Sequence, residues 1–178
     1  MTTPSVLPEA QHVWAIYLRA GEEARGRGDR RVGTDHLVLA LLEDPSIEAL
    51  LGVSRTLARQ ALALLDHEAL GALGMASVAD APPLPTRAGP RKPTFRAVMS
   101  RGRLPMTPVA KRVLEEAVRP NRHKTQVTAP QVLAPILALR PPDPAAVLLD
   151  ALGVNTAALR RRLDVVTPEG RPVILSRS

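Results

Sequence analysis

Leu51-Gly52-Val53-Ser54 returns 101 positions later as Leu152-Gly153-Val154-Asn155. In both places an apolar run ends on leucine, glycine offers a left-handed helix terminus, and Ser or Asn stands where it can cap the next helix. An arginine-bearing amphipathic segment follows each copy. The echo constrains the fold because the signals before each copy also match in order. In the first half, Val13, Ile16, Tyr17, Ala20 and Ala24 recur at helical spacing over 9–27, and Gly26 and Gly28 close that segment. Thr34 is then an expected N-cap, Asp35 suits the positive end of the helix, and Leu37, Leu41 and Leu42 supply its buried stripe. Pro45 stops it. A short helix is expected over 46–51, and a longer one from Ser54 to about residue 70, with Leu57, Ala61, Leu64 and Leu65 inward.

The second half repeats this order. Thr107-Pro108 is a cap followed by proline at the first helical position, and Val109, Val113, Leu114 and Ala117 follow periodically. Thr128 opens a helix with Val132, Leu133, Ile136 and Leu137 toward the core, which Pro135 should kink. Asp143-Pro144 begins a short helix closed by Gly153, and Asn155 caps the last, with Leu159 and Leu163 inward. The expectation is an all-α fold, a pseudo-twofold duplicated four-helix repeat of about eight helices in one bundle-like domain. Trp14, Tyr17 and Phe95 are the whole aromatic complement, so the core must be Leu, Val, Ile and Ala, which suits helices better than strands.

Between the halves the pattern dissolves into Pro, Gly and Arg, which cannot bury enough apolar surface to offset the entropy of ordering. The chain divides into an arm and first repeat (1–73), a Pro/Arg-rich linker (74–104), a second repeat (105–166) and a tail (167–178). There is no cysteine, which excludes disulfides, thiolate metal sites and cysteine nucleophiles. The N-terminal residues lack a basic stretch followed by an apolar run, and no apolar run nears the ~20 residues of a membrane span. A cytoplasmic monomer is expected, without membrane partners.

The net charge is +7. Arg87, Arg91, Lys92, Arg96, Arg101 and Arg103 fall in 81–105 with no acidic residue among them, and the remainder is nearly balanced. Nucleic-acid binding through this linker and Arg160-Arg161-Arg162 is one reading. A solvated linker and a charged helix face is the favoured one, since no aromatic platform for single strands is evident. His12, His36, His67 and His123 are scattered without the paired spacing of a zinc site, and His36 reads as a hydrogen-bonding residue at a helix start. Asp66, His67 and Glu68 are helix neighbours pointing different ways. Gly26–Asp29, "GRGD", follows a helix rather than a strand and is a poor dinucleotide loop. No enzyme, cofactor or metal is indicated.

"VGTDHLVLALLED" (32–44) resembles the "GTEHLLLGLL" phrase of the Clp-type AAA+ unfoldase N-terminal domain, the Clp repeat domain. "MTPVAKRVLEEA" (106–117) resembles the "FTPRAKRVLELA" phrase that opens each of its repeats, and the Leu-Gly-Val joint is in the family pattern. The likeness covers about 9–70 and 105–165, with "VTAPQVLAPIL" standing as a degraded second phrase. It implies an eight-helix pseudo-twofold bundle that docks adaptors, clients or substrates of an unfoldase and its protease, and that in some members receives cyclic peptide antibiotics. A P-loop needs Gly-x4-Gly-Lys-Ser/Thr, and no glycine here precedes lysine; a free-standing domain without the motor is expected.

The resemblance also implies a ligand patch where the first helices of the two repeats meet. Met106 stands where the family has an aromatic residue, and a polarizable methionine still suits an apolar pocket. Tyr17 and Leu114 belong to the same junction, with Lys111 and Glu115 on its rim. Trp14 and Leu18, spaced i,i+4 beside the inward stripe, and Val6 from the arm complete the expected peptide-binding set. Phosphoarginine recognition would use Thr107 and Asp35. The first repeat has Glu9-Ala10 where Phe-Thr would stand, and Pro130 replaces the second acidic residue, so such binding should be weak or absent. The tail run Val173-Ile174-Leu175 is a further candidate, as an internal occupant of a neighbour's groove.

Overall fold

The computed structural model describes residues 11–72, 103–119 and 126–165. Val6, most of the linker and the tail run at 173–175 lie outside them. Among the described residues the fold is all-α. Its first four helices are α1 (Val13–Arg27), α2 (Thr34–Leu41), α3 (Pro45–Leu51) and α4 (Arg55–Ala72). Four more follow: α5 (Pro108–Val118), α6 (Ala129–Ile136), α7 (Pro144–Ala151) and α8 (Thr156–Val165). Two short extended segments, β1 (Gln11–His12) and β2 (Gln126–Val127), pair antiparallel.

The helices begin where local chemistry permits. Asp44 and Asp143 each accept a hydrogen bond from the amide two residues on, with proline at the first helical position of α3 and α7. Thr107 caps α5 by accepting from the Ala110 amide at 3.2 Å. Ser54 and Asn155 accept from the Leu57 and Ala158 amides. Gly52 and Gly153 sit at φ +68° and +67°, a region in which a side chain meets the following carbonyl, so glycine ends α3 and α7 at little steric cost.

The termini of the helices are tied reciprocally. The stretch before α1, Gln11–His12, pairs with the stretch before α6, Gln126–Val127. The residues before α5 pair with those before α2: the Val32 amide donates to the Pro105 carbonyl, and the Thr107 amide to the Val32 carbonyl, both at 2.9 Å. Helix α2 lies at the centre, packed on α1, α4, α5, α6 and α7. All its residues are buried, the polar Thr34, Asp35 and His36 of its first turn and the apolar run from Leu37 to Leu41 alike. One buried cluster runs from Ile16 and Ala20 through Leu37, Leu39 and Ile47 to Val113, Leu133, Ile136 and Leu148.

Three expectations need correction. Helix α1 starts at Val13, after residues committed to β1, so it is shorter than 9–27. Thr34 is the first residue of α2 and not its cap. Gly33 holds that position, its amide donating to His36 Nδ1 at 3.0 Å. The Thr34 hydroxyl instead donates to Asp143 Oδ1 at 2.7 Å across 109 residues, joining α2 to α7. Along α4 the buried residues are Ala58 and Leu62, with the expected Ala61 and Leu65 partly buried against the core, while Leu57 and Leu64 are exposed. Pro135 lies inside α6, one residue before its end at Ile136, where its missing N–H forgoes one helical hydrogen bond.

Candidate functional site

Helices α1 and α5 flank a cavity of about 570 Å³. Val13, Trp14 and Tyr17 reach it from α1, Met106 from the residue pair ahead of α5, and Lys111, Leu114, Glu115 and Val118 from α5 itself. The α5 set is an i, i+3, i+4, i+7 stripe, one face of a helix. Six residues expected from the sequence (Trp14, Tyr17, Met106, Lys111, Leu114 and Glu115) are thus gathered in one place. Leu18 is not: it is 39 % exposed and outside the cavity. At about 100° per residue it lies further round α1 than the arc holding Val13, Tyr17 and Trp14.

The floor is apolar and anchored. Tyr17 is buried and donates its hydroxyl to the Leu104 carbonyl at 2.6 Å, which holds the chain beside α1. The Trp14 and Tyr17 rings lie 4.9 Å apart at 41°, a tilted contact that favours fixed ring orientations. Trp14 remains 39 % exposed, and the Arg103 guanidinium carbon stands 4.4 Å from its ring centroid, within cation–π range. At the rim, Lys111 and Glu115 form an exposed i,i+4 pair at 3.6 Å, and Arg119 closes the far end. Val13, Val118, Arg103 and Arg119 were not foreseen. Val118 was legible as the position four beyond Leu114, whereas nothing in the sequence brings Arg103 onto Trp14.

Asp35 and Thr107 are occupied otherwise. Asp35 is buried at 7 % exposure. Burial pushes its pKa up, but the hydrogen bonds and charge of His36 prevail and hold it below the usual carboxylate range. The Thr107 hydroxyl caps α5. Neither is presented to a guanidinium in the cavity. His36 does the work of a helix start: its Nδ1 accepts from the Gly33 amide and its Nε2 lies 3.0 Å from Asp29 Oδ2. The neutral ring therefore carries its proton on Nε2, and Asp35 Oδ1, 3.3 Å from Nδ1, becomes a partner once that nitrogen is protonated.

A second cavity of similar size lies between α1 and α4, and it is charged. Glu23, 6 % exposed, accepts from both Arg55 and Arg59. Arg55 also reaches Glu43 at 2.6 Å, and Arg27 reaches Asp66 at 2.7 Å. Each of these arginines is matched by a carboxylate, so the cluster ties α4 to α1. Glu23 sits at the inward phase of α1 beside Ala20 and Ala24, a signal in the sequence that went unread. Among the described residues no group of three or more His, Asp or Glu could hold a metal ion, and no helix is long and apolar enough to cross a membrane. No protein-family model and no curated protein matches the sequence.

Proposed function

We propose that this chain is a non-enzymatic peptide- or protein-binding module. It acts as an accessory that brings clients or adaptors to a Clp-type unfoldase and protease, or as a decoy that takes up cyclic peptide antibiotics. The cavity between α1 and α5 carries this reading: an anchored aromatic and aliphatic floor, an exposed Trp14 and a charged rim are the anatomy of a peptide-binding patch. The motif likeness of 32–44 and 106–117 to the Clp repeat domain supports it. A duplicated four-helix repeat is supported by the matched order of the helices and by the reciprocal pairings ahead of α1, α2, α5 and α6.

The test uses Trp14, the sole tryptophan. The protein is titrated with a cyclic peptide that binds Clp N-terminal domains, following Trp emission and, in parallel, heat. A saturable change lost in Met106→Arg is the expected result; no heat with the wild-type protein overturns the reading. A second reading, nucleic-acid binding, is favoured by Arg160, Arg161 and Arg162, consecutive, exposed and in no ion pair with another described residue. It requires affinity for duplex DNA that falls steeply and log-linearly with salt.

A further inference from the structure

We infer that the partner of the α1/α5 cavity is an acidic amphipathic peptide segment, with large apolar side chains for the floor and Asp or Glu beside them for the rim. The inference rests on the peptide-binding reading above and adds the chemistry of the ligand. The floor of Trp14, Tyr17, Met106 and Leu114 selects apolar anchors without regard to charge. The rim does discriminate. Among the described residues Glu115 is the one carboxylate lining the cavity, and it pairs with Lys111 at 3.6 Å. Arg119 is exposed and joins no ion pair among the described residues. The Arg103 guanidinium carbon lies over the Trp14 ring, 4.4 Å from its centroid. Arg103 is exposed and joins no ion pair among the described residues, and a guanidinium is suited to taking a carboxylate bidentately.

The two stretches of sequence that continue from these arginines reinforce the sign. Residues 81–102 contain Arg87, Arg91, Lys92, Arg96 and Arg101, and residues 120–125 contain Arg122 and Lys124, with no Asp or Glu in either. A basic ligand would meet like charge at Arg103 and Arg119, and a neutral one would leave both without a carboxylate. Charge of this arrangement acts chiefly on encounter and on partner choice. A polynucleotide shares the charge, but its bases need exposed aromatic faces to stack on, and here Tyr17 is buried and the Trp14 ring carries Arg103.

The experiment compares three short fluorescein-labelled peptides with the same Leu and Phe anchors, flanked by Glu, Gln or Lys, against the full chain by anisotropy. The Glu peptide should bind about tenfold tighter than the Gln peptide, and the preference should vanish near 1 M salt, where the Debye length is about 3 Å. Arg103→Glu and Arg119→Glu, both at exposed positions, should remove that preference, so that the Glu peptide no longer binds tighter than the Gln peptide. Equal binding of Glu and Gln peptides, both lost in Met106→Arg, overturns the acidic partner and leaves the peptide-binding cavity standing. Binding of none of the three, or binding indifferent to Met106→Arg, overturns both. A single-stranded oligonucleotide that competes with the Glu peptide and ignores Met106→Arg overturns the inference in favour of nucleic acid.

Discussion

Replacing Glu23 by glutamine should destabilise the protein by about 2 kcal/mol. The substitution keeps side-chain shape, and the two residues differ little in helix propensity. What changes is charge at a nearly buried site. Glu23 is 6 % exposed and takes hydrogen bonds from both the Nε and the terminal nitrogens of Arg55 and Arg59. Removing one partner of a fully buried ion pair costs about 3–5 kcal/mol, because the other charge is stranded. Here neither arginine is stranded. The Arg59 side chain is half exposed and Arg55 retains Glu43. The loss then reduces to the charge-assisted hydrogen bonds themselves, about 1.5–3 kcal/mol. Urea unfolding followed by far-UV circular dichroism reads this directly: with a slope of about 1–3 kcal/mol per molar, the midpoint falls by about 1 M.

Acid adds a second signature. Burial pushes the Glu23 carboxyl up, but hydrogen bonds and charge from Arg59 and Arg55 prevail and hold it below its ordinary value of 4.5. A carboxylate with a depressed folded pKa contributes stability above its unfolded pKa and loses it as pH falls through the folded one. The wild-type protein should therefore lose part of its advantage over Glu23→Gln below about pH 4.5. A midpoint change worth under about 0.5 kcal/mol, the range of an exposed surface pair, refutes the reasoning. So does a change of the same size in a background already carrying Arg55→Met and Arg59→Met, where the coupling should be gone.

Two other predictions concern α2. Thr34→Val removes the hydroxyl that donates to Asp143 Oδ1 and should cost about 1–2 kcal/mol in the same urea assay, with Thr34→Ser recovering most of it. At His36, burial lowers the pKa, but the hydrogen bond and charge of Asp35, helped by Asp29, raise it above 6.5. A raised folded pKa gives stability that is fully present below the unfolded value near 6.5 and is lost as pH rises through the folded value. His36→Asn should flatten that decline, and a histidine NMR titration should show His36 retaining its proton to higher pH than a model peptide.

The order of the helices was legible because their boundaries are local chemistry. Asp44-Pro45, Thr107-Pro108 and Asp143-Pro144 are caps that need only neighbours in sequence, and Gly52 and Gly153 end helices by their own backbone freedom. The start of α1 was not legible, because Gln11 and His12 are drawn into extended pairing by Gln126 and Val127. Thr34 misled for the same reason: its hydroxyl answers to Asp143 and not to its own helix. The cavity was half legible. The α5 stripe through Lys111, Leu114 and Glu115 is a periodicity, and Trp14 is conspicuous in a chain so poor in aromatics. The placement of Arg103 on Trp14 and of Arg55 and Arg59 on Glu23 depends on how elements pack, which no window of sequence contains.

The reciprocal pairing has a consequence for the timing of folding. Helical proteins usually fold fast because their contacts are close in sequence. Here the amide and carbonyl of Val32 are satisfied by Pro105 and Thr107, and Gln11–His12 by a strand that ends at Val127. During synthesis at about 5–20 residues per second, roughly 3–11 s separate Ala72 from Val127. Throughout that interval the first four helices exist without the partners that complete them. Central α2, apolar from Leu37 to Leu41, has to wait for α5, α6 and α7 before its outer faces are covered.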